Sequence, residues 1–138
     1  MSERLRIALF TYSTQPRGGV VHAQAVAEAL HDLGHDVVLY ALGDDGAPFT
    51  RTPRCPFVVI PVERQAEPTV SFVRRRVAAY LAAVEATPLG AAFDVYHAQD
   101  GISGNALAAL AARSAIDGYV RTVQDVYKRQ AWCWPIST

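Results

Sequence analysis

Apolar residues change their spacing twice within the first forty positions of the chain. Residues 6–12 form a nearly unbroken apolar run, which is typical of a strand covered on both faces of a sheet. Apolar residues then recur at helical spacing, at Val20, Ala23, Val26, Ala27, Leu30 and Leu33. Gly34 supplies the left-handed residue that ends a helix, and a second apolar run covers 36–42. The pattern predicts a strand, helix and strand, with the two strands parallel.

The same alternation continues as far as residue 123. Three further strands are predicted, at 57–62, 93–98 and 119–123. Two helices are expected between them, one starting at Glu67–Pro68 and stopping at 87–90, the other from about Ser103 to Arg113. Pro61 indicates that the third strand lies at an edge or ends there. The order predicts an α/β fold with an open, doubly wound and mainly parallel sheet.

Residues 124–138 break this regularity. They contain both tryptophans but show neither helical nor strand periodicity. The segment 125–130 also resembles a read-through artefact at the ends of assembled environmental sequence fragments. We therefore predict one domain over 1–123, which is long enough for a hydrophobic core, and interpret 124–138 as a non-native or disordered tail.

Charge and cysteine content narrow the choice of partners and compartment. Thirteen basic and thirteen acidic residues balance, so no nucleic-acid partner is indicated. The run 74–76 of three arginines is interpreted as a solvated helix face, although a basic helix can also rest on an anionic membrane. Cys55 and Cys133 lack the spacing of a disulfide framework or zinc site, and Cys55 is expected in the surface loop 43–56. No apolar run reaches the roughly 20 residues of a membrane span, so we predict a cytoplasmic protein, with peripheral contact at the inner membrane face as a further option.

Two glycines stand where an open α/β sheet collects its ligands, beyond the carboxyl end of a strand. Gly18 and Gly19 fall between the first strand and the first helix. Glycine permits backbone torsions that other residues avoid, and it lets a ligand approach the main chain. Free amides at the following helix N-terminus favour an anion such as phosphate. A glycine pair by itself also suits a simple tight turn.

His97 and Asp100 follow the fourth strand at the same predicted edge. His97 could donate to a hydroxyl or phosphate, or act as an acid or base near neutral pH, but a strand-end histidine is as often structural. Asp100 could accept from sugar hydroxyls or orient His97, and Asp-Gly is also ordinary turn chemistry. The sequence lacks a Ser-His-Asp order, a nucleophile elbow, a P-loop lysine and a metal pair, which disfavours hydrolase and ATPase functions.

Four segments in order, 6–12, 17–20, 29–40 and 93–100, resemble the N-terminal domain of retaining family 4 (group 1) glycosyltransferases with the GT-B fold. The similarity spans nearly all of residues 5–123. It implies a Rossmann-like half of a GT-B fold. It also implies transfer of a sugar from a nucleotide-diphosphate donor to an acceptor hydroxyl, with retention of anomeric configuration, without a required metal and without any other cofactor.

The resemblance assigns donor-phosphate binding to Gly18 and Gly19, and acceptor binding to Tyr12, His97 and Asp100, with His97 also catalytic. Amides at a glycine turn can stabilise the charge that develops on a departing diphosphate. One departure is that members of the group usually carry histidine just beyond the fifth strand, where this chain has Gln124–Asp125. The C-terminal Rossmann-like domain with the donor-binding carboxylates is also missing, so we expect a fragment that is inactive alone.

Two other functions fit parts of the pattern. A dinucleotide-binding module would use the first strand-helix-strand unit and the acids Asp44 and Asp45, but the glycine spacing lacks G-x-G-x-x-G. A flavodoxin-like signalling or partner-binding domain would need no catalysis. It would have no ligand cleft and would end in a self-contained helix.

Overall fold

A computed structural model describes residues 3–86 and 93–123. The strands are β1 (Arg6–Thr11), β2 (Asp36–Asp44), β3 (Phe57–Val62), β4 (Val95–Ala98) and β5 (Val120–Arg121). The helices are α1 (Gly18–Asp32), α2 (Thr69–Ala86) and α3 (Gly101–Ala112). The strands form one sheet in the order β3-β2-β1-β4-β5, and all neighbouring pairs are parallel. The predicted α/β class with an open parallel sheet is confirmed.

β1 lies at the centre of the sheet because both of its faces are apolar. Ile7 and Leu9 pack in the cluster that includes α1, whereas Ala8 and Phe10 pack in the cluster that includes α2 and α3. All four side chains are at most 5% exposed. Helices therefore cover both faces, as the unbroken apolar run of this strand predicts.

The predicted end of α1 and the predicted edge strand are both present. Gly34 has φ +97°, a conformation that other residues rarely adopt, and its N–H donates to His31 O at 3.0 Å. β3 is an edge strand, in which Pro61 is in register with Gly43 of β2. An edge position tolerates proline because one side of the strand needs no ladder hydrogen bond.

The segment 45–56 is only partly the surface loop that its composition predicts. Phe49 and Cys55 are buried in the α1-side cluster, and burial raises the pKa of the Cys55 thiol. Polar contacts also tie the segment to α1: Gln24 Nε2 donates to Arg51 O at 2.7 Å, and the Arg51 guanidinium donates twice to the Glu28 carboxylate, at 2.8 and 2.9 Å. The segment therefore forms part of the core rather than an independent loop.

The prediction of a solvated face at 74–76 is wrong for Arg76. Arg74 is exposed, but Arg76 is only 2% exposed. Arg76 lies four residues from both Phe72 and Tyr80, so the period of the helix turns it toward the sheet. Its charge is compensated there by an ion pair with Asp44 of β2.

Two predictions lie outside the described residues: the helix stop at 87–90 and the tail 124–138, including the Gln124–Asp125 departure. Within 3–86 and 93–123, no helix has the length and apolar character needed to cross a membrane.

Candidate functional site

The strand order places a ligand crevice at the carboxyl ends of β1 and β4. β2 and β3 extend the sheet on one side of β1, and β4 and β5 extend it on the other. In open α/β sheets the ligand binds where the order reverses in this way. Here that position is bordered by Tyr12 after β1, by Asp100 after β4 and by the start of α1 at Gly18.

Asp100 joins the two strand exits. Its Oδ2 accepts from Tyr12 N at 2.9 Å and from Thr11 Oγ1 at 3.2 Å. Its Oδ1 accepts from Ser103 N at 2.8 Å and from Ser103 Oγ at 2.9 Å, so the same carboxylate caps α3. The hypothesis that Asp100 orients His97 is wrong, because these four bonds go to Thr11, Tyr12 and Ser103.

The peptide groups of Tyr12 are held from both sides. Asp100 accepts from its N–H, and Arg76 Nη1 donates to its carbonyl oxygen at 2.6 Å. Arg76 also donates to Asp44 through Nη2. The sequence did not predict Arg76 as part of this site, although its spacing of four residues from both Phe72 and Tyr80 places it on the sheet-facing side of α2. The exit of β1 toward Gly18 is thus fixed by charged side chains from two helical segments.

The N-terminus of α1 begins at the exposed Gly18 and carries backbone donors without helical partners. The helix starts at Gly18, two residues earlier than its apolar pattern predicts, and Val21 N to Arg17 O at 2.8 Å is its first helical bond. The N–H groups of Gly18, Gly19 and Val20 therefore have no intrahelical acceptor. Arg17 provides no side-chain cap, and the first turn carries no acidic residue. The positive end of this helix is therefore not neutralised by its own side chains.

Neither Gly18 nor Gly19 adopts a positive φ, and Gly18 provides space. Among the described glycines, positive φ occurs at Gly34 and Gly46, so the expected torsional freedom of Gly18 and Gly19 is not used. Gly18 is exposed, and a Cβ built on it would have no heavy atom within 4 Å. A ligand could therefore reach this backbone without meeting a side chain.

His97 is held in a partly buried position on the α1 side of β4. Its Nε2 lies 2.6 Å from Thr122 Oγ1 and 3.3 Å from Gln99 Nε2. Burial lowers the pKa of His97, and the neighbouring His22 of α1 lowers it further. The lowered pKa favours the neutral imidazole, in which one ring nitrogen donates and the other accepts. Sequence reasoning found His97 but missed Thr122, which lies on β5's exit and has no local motif.

Arg121 is a further cation at this edge. Its side chain lies across the first turn of α3, where a Cβ on Gly101 or Gly104 would come within 3.4 or 3.0 Å of it. The glycines at these two positions, one helical turn apart, leave the room that the exposed arginine occupies. The three-residue spacing of these glycines is the feature of the sequence that indicates the contact with Arg121.

The acids that a dinucleotide-binding module would use already have partners. Asp44 binds Arg76, and Asp45 Oδ1 accepts from Arg64 N at 3.0 Å. A ribose hydroxyl would have to compete with these bonds, which makes the dinucleotide function less favourable.

A family model described as a glycosyl transferase 4-like domain matches residues 17–136, a range that includes Gly18, His97 and Asp100. The chain belongs to this glycosyl transferase 4-like family. The match supports an N-terminal domain of the GT-B type, consistent with the parallel sheet. Among curated proteins, none matches this glycosyl transferase 4-like chain significantly.

Solved structures with a similar fold include two of the C-terminal domain of a hydrogenase from Pyrococcus furiosus. Their TM-scores are 0.64 and 0.65, each at 11% sequence identity. The alignments cover 87% and 88% of the glycosyl transferase 4-like chain and 93% of each hydrogenase chain. At this identity the similarity shows a shared fold.

Proposed function

We propose that this glycosyl transferase 4-like domain is the acceptor-side half of a retaining glycosyltransferase. The enzyme would move a sugar from a nucleotide-diphosphate donor to an acceptor hydroxyl. The observation that carries the proposal is the uncapped N-terminus of α1, which opens at the switch point of the sheet.

In this proposal the amides of Gly18, Gly19 and Val20 bind the donor diphosphate. Cleavage of the sugar bond leaves negative charge on that diphosphate, and preorganised N–H donors stabilise such charge more than they stabilise the intact donor. The positive end of the helix dipole acts in the same direction. The N-terminus of α3 suits this role less, because the Asp100 carboxylate already occupies it.

His97 is the proposed contact for the acceptor hydroxyl. Its Nε2 already contacts Thr122 and Gln99, so the proposed contact is Nδ1, which donates to the hydroxyl oxygen when Nε2 accepts from the Gln99 amide. Thr122 and Gln99 hold the ring. Tyr12 and Asp100 border the same crevice, and Asp100 contributes mainly by fixing the exit of β1. No metal is required for these steps.

A titration of the ¹⁵N-labelled chain tests the donor role. We expect pyrophosphate, UDP and GDP to shift the amide signals of Gly18, Gly19 and Val20 saturably, because these N–H groups lack intrahelical acceptors. NAD is the comparison ligand. Tight NAD binding without binding of nucleoside diphosphates would favour a dinucleotide module, and unmoved amide signals would remove the donor role.

A second test concerns activity. Since the donor-binding groups of such enzymes lie mainly in a second Rossmann-like domain, we expect no sugar transfer by residues 1–138 alone. A radiolabelled nucleotide-sugar assay with this chain measures it. Transfer by this chain would contradict the proposal that it is half of an enzyme.

A further inference from the structure

Arg76 interrupts an apolar stripe on the sheet-facing side of α2. Phe72, Tyr80 and Val84 follow the same four-residue spacing, and Tyr80 and Val84 are buried in the core cluster of this face of the sheet. Arg76 is buried as well, with 2% of its surface exposed. An apolar side chain would continue the stripe, so the packing of the core does not by itself require an arginine.

The arginine is unfavourable for stability at this position. Its charge is removed from water and compensated by Asp44, and replacing a buried ion pair with apolar side chains is often neutral or stabilising. Its Nε has no hydrogen-bond acceptor among the described residues, which leaves a buried donor unpaired. A small cavity of about 140 Å³ also remains beside it, at the carboxyl ends of β2 and β3. These three features indicate a role other than core packing.

The guanidinium of Arg76 joins the exits of the two central strands. Its Nη2 donates to Asp44 at the end of β2, and its Nη1 donates to Tyr12 O at 2.6 Å, directly beyond β1. The Phe72 ring packs on the group, with its centroid 4.5 Å from the guanidinium carbon. A planar guanidinium can hold two acceptors at a fixed separation, which a lysine ammonium cannot do.

The short segment between β1 and α1 is held by side chains before the helix begins. Arg76 binds Tyr12 O, and two residues later Thr14 Oγ1 donates to Ala47 O at 2.9 Å. Thr14 is only 2% exposed. Three residues then separate Thr14 from Gly18. Because the connection is so short, the position of Tyr12 constrains the position of the first amides of α1.

We propose that Arg76 is a positioning residue for the donor-phosphate site formed by the amides of Gly18, Gly19 and Val20. This role rests on the proposed function, which assigns the diphosphate to these amides. Arg76 acts without touching the ligand, because it holds the exit of β1 and so places the amides before the ligand arrives. Without it, residues 12–17 would have to become ordered on binding, and the free energy of that ordering would lower the affinity.

Arg76→Lys tests this role, because lysine keeps the charge but cannot hold Asp44 and Tyr12 O in one planar fork. Pyrophosphate is titrated into the ¹⁵N-labelled variant, and the amide signals of Gly18 and Gly19 report the affinity. We expect the affinity to fall roughly tenfold, the effect of one hydrogen bond to a charged group. Without ligand, ¹⁵N relaxation should show increased motion of residues 13–18, which a loss of global stability does not produce.

Arg75→Gln is the matched control on the same helix. Arg75 pairs with Glu67 and donates to the Glu63 carbonyl, and neither contact involves residues 12–18, so affinity and motion should stay unchanged. The double variant Asp44→Asn/Arg76→Met removes both charges of the buried pair and leaves none uncompensated. It should bind as weakly as Arg76→Lys, and it keeps the test decisive if that single variant does not fold. Thermal unfolding shows which variants remain folded.

Equal losses of affinity in Arg76→Lys and Arg75→Gln would indicate a general effect of α2, and a loss in the double variant but not in a folded Arg76→Lys would indicate an effect of charge alone. Unchanged affinity in both Arg76 variants would mean that the exit of β1 keeps its place without the guanidinium. Each of these results overturns the positioning role, whereas binding of pyrophosphate by the wild-type amides still supports the proposed function. If pyrophosphate does not bind these amides in the wild type, the donor site falls and the positioning role falls with it.

Discussion

Among single residues, Glu28 of α1 is an ionised carboxylate with only 4% of its side chain exposed. Two hydrogen bonds from Arg51 are the largest cause of its lowered pKa, about 2 against an ordinary 4.5, with Arg54 adding a backbone N–H bond. Burial opposes this shift but is outweighed. Because the folded pKa lies below the unfolded one, ionisation of Glu28 stabilises the fold above about pH 4.5.

We therefore expect Glu28→Gln to lower the free energy of unfolding at pH 7. A pKa shift of this size corresponds to roughly 3 kcal/mol, and solvent screening of the more than half-exposed Arg51 and Arg54 reduces our expectation to about 2 kcal/mol. The difference from wild type should shrink as the pH falls from 4.5 toward 2. Urea unfolding at pH 7 and pH 3 measures it.

Asp32→Asn is the control, because its ion pair with Arg54 is exposed on both sides and should contribute under about 1 kcal/mol. A loss for Glu28→Gln that is equally large at both pH values would show that its effect is not electrostatic.

Alanine substitutions at Gly18 and Gly34 distinguish a role in ligand access from a role in avoiding backbone strain. Gly18→Ala should leave the free energy of unfolding unchanged or raise it by roughly 0.5 kcal/mol, because no atom meets the new Cβ and φ is ordinary. It should nevertheless weaken pyrophosphate binding. Gly34→Ala should cost roughly 1–2 kcal/mol at φ +97° and leave binding unchanged. Chemical denaturation and calorimetric titration distinguish the two variants, and unaltered binding in Gly18→Ala would argue against ligand approach at that residue.

At the level of secondary-structure elements, periodicity predicted all three helices and all five strands of the described residues. It failed where a charged residue lies on an apolar face. For Arg76, helical spacing outweighs the rule that arginine is exposed, because Asp44 compensates the charge. The attachment of Arg51 to Glu28, 23 positions apart, has no local signal in the sequence.

The Tyr80 hydroxyl links α2 to β1 and β2, and removal of this hydroxyl tests that link. Its fully buried hydroxyl contacts the carbonyl oxygens of Thr11 and Tyr40, the latter at 3.1 Å. Tyr80→Phe keeps the edge-on ring contact with Phe10 but leaves buried carbonyls without this donor, so we expect a loss of roughly 1–2 kcal/mol.

Urea denaturation of Tyr80→Phe measures the loss. Tyr40→Phe is the matched control, because no described residue hydrogen-bonds to the Tyr40 hydroxyl while its ring stacks on Phe10. Equal losses in the two variants would mean that the hydroxyl of Tyr80 contributes nothing specific.

For the whole molecule, the alternation of strands and helices predicted a parallel sheet but not the order of its strands. The flavodoxin-like order 2-1-3-4-5 and the observed 3-2-1-4-5 use the same kinds of element, and long-range packing decides between them. The rule that ligands collect at the carboxyl ends of strands correctly predicted that Tyr12, Asp100 and the start of α1 lie at the same edge of the sheet. Arg76 and Arg121 also lie at that edge. They come from distant parts of the chain, so the spacing of residues in the sequence does not predict their position there.

The strand order also predicts which of two edges binds phosphate. A larger cavity of about 570 Å³ lies at the opposite, amino-terminal edge, lined by Arg4, Arg6 and His35 among others. Its arginines are paired with Asp36 and Asp94. We expect pyrophosphate to shift amide signals at 18–20 and to leave those at 34–37 unchanged. Larger shifts at 34–37 would place the anion site at the wrong edge for sugar transfer.

Pro61 has a consequence for how the protein behaves when concentrated. The outer strand β3 exposes Phe57 and Val58, and an apolar outer strand of this kind is a template for fibril growth. Proline has no N–H to offer to an incoming strand, so it interrupts any ladder that another molecule would build on this side. Among the residues that the structure describes, the opposite margin is a strand of only two residues. Both margins of the sheet thus resist self-association through backbone pairing.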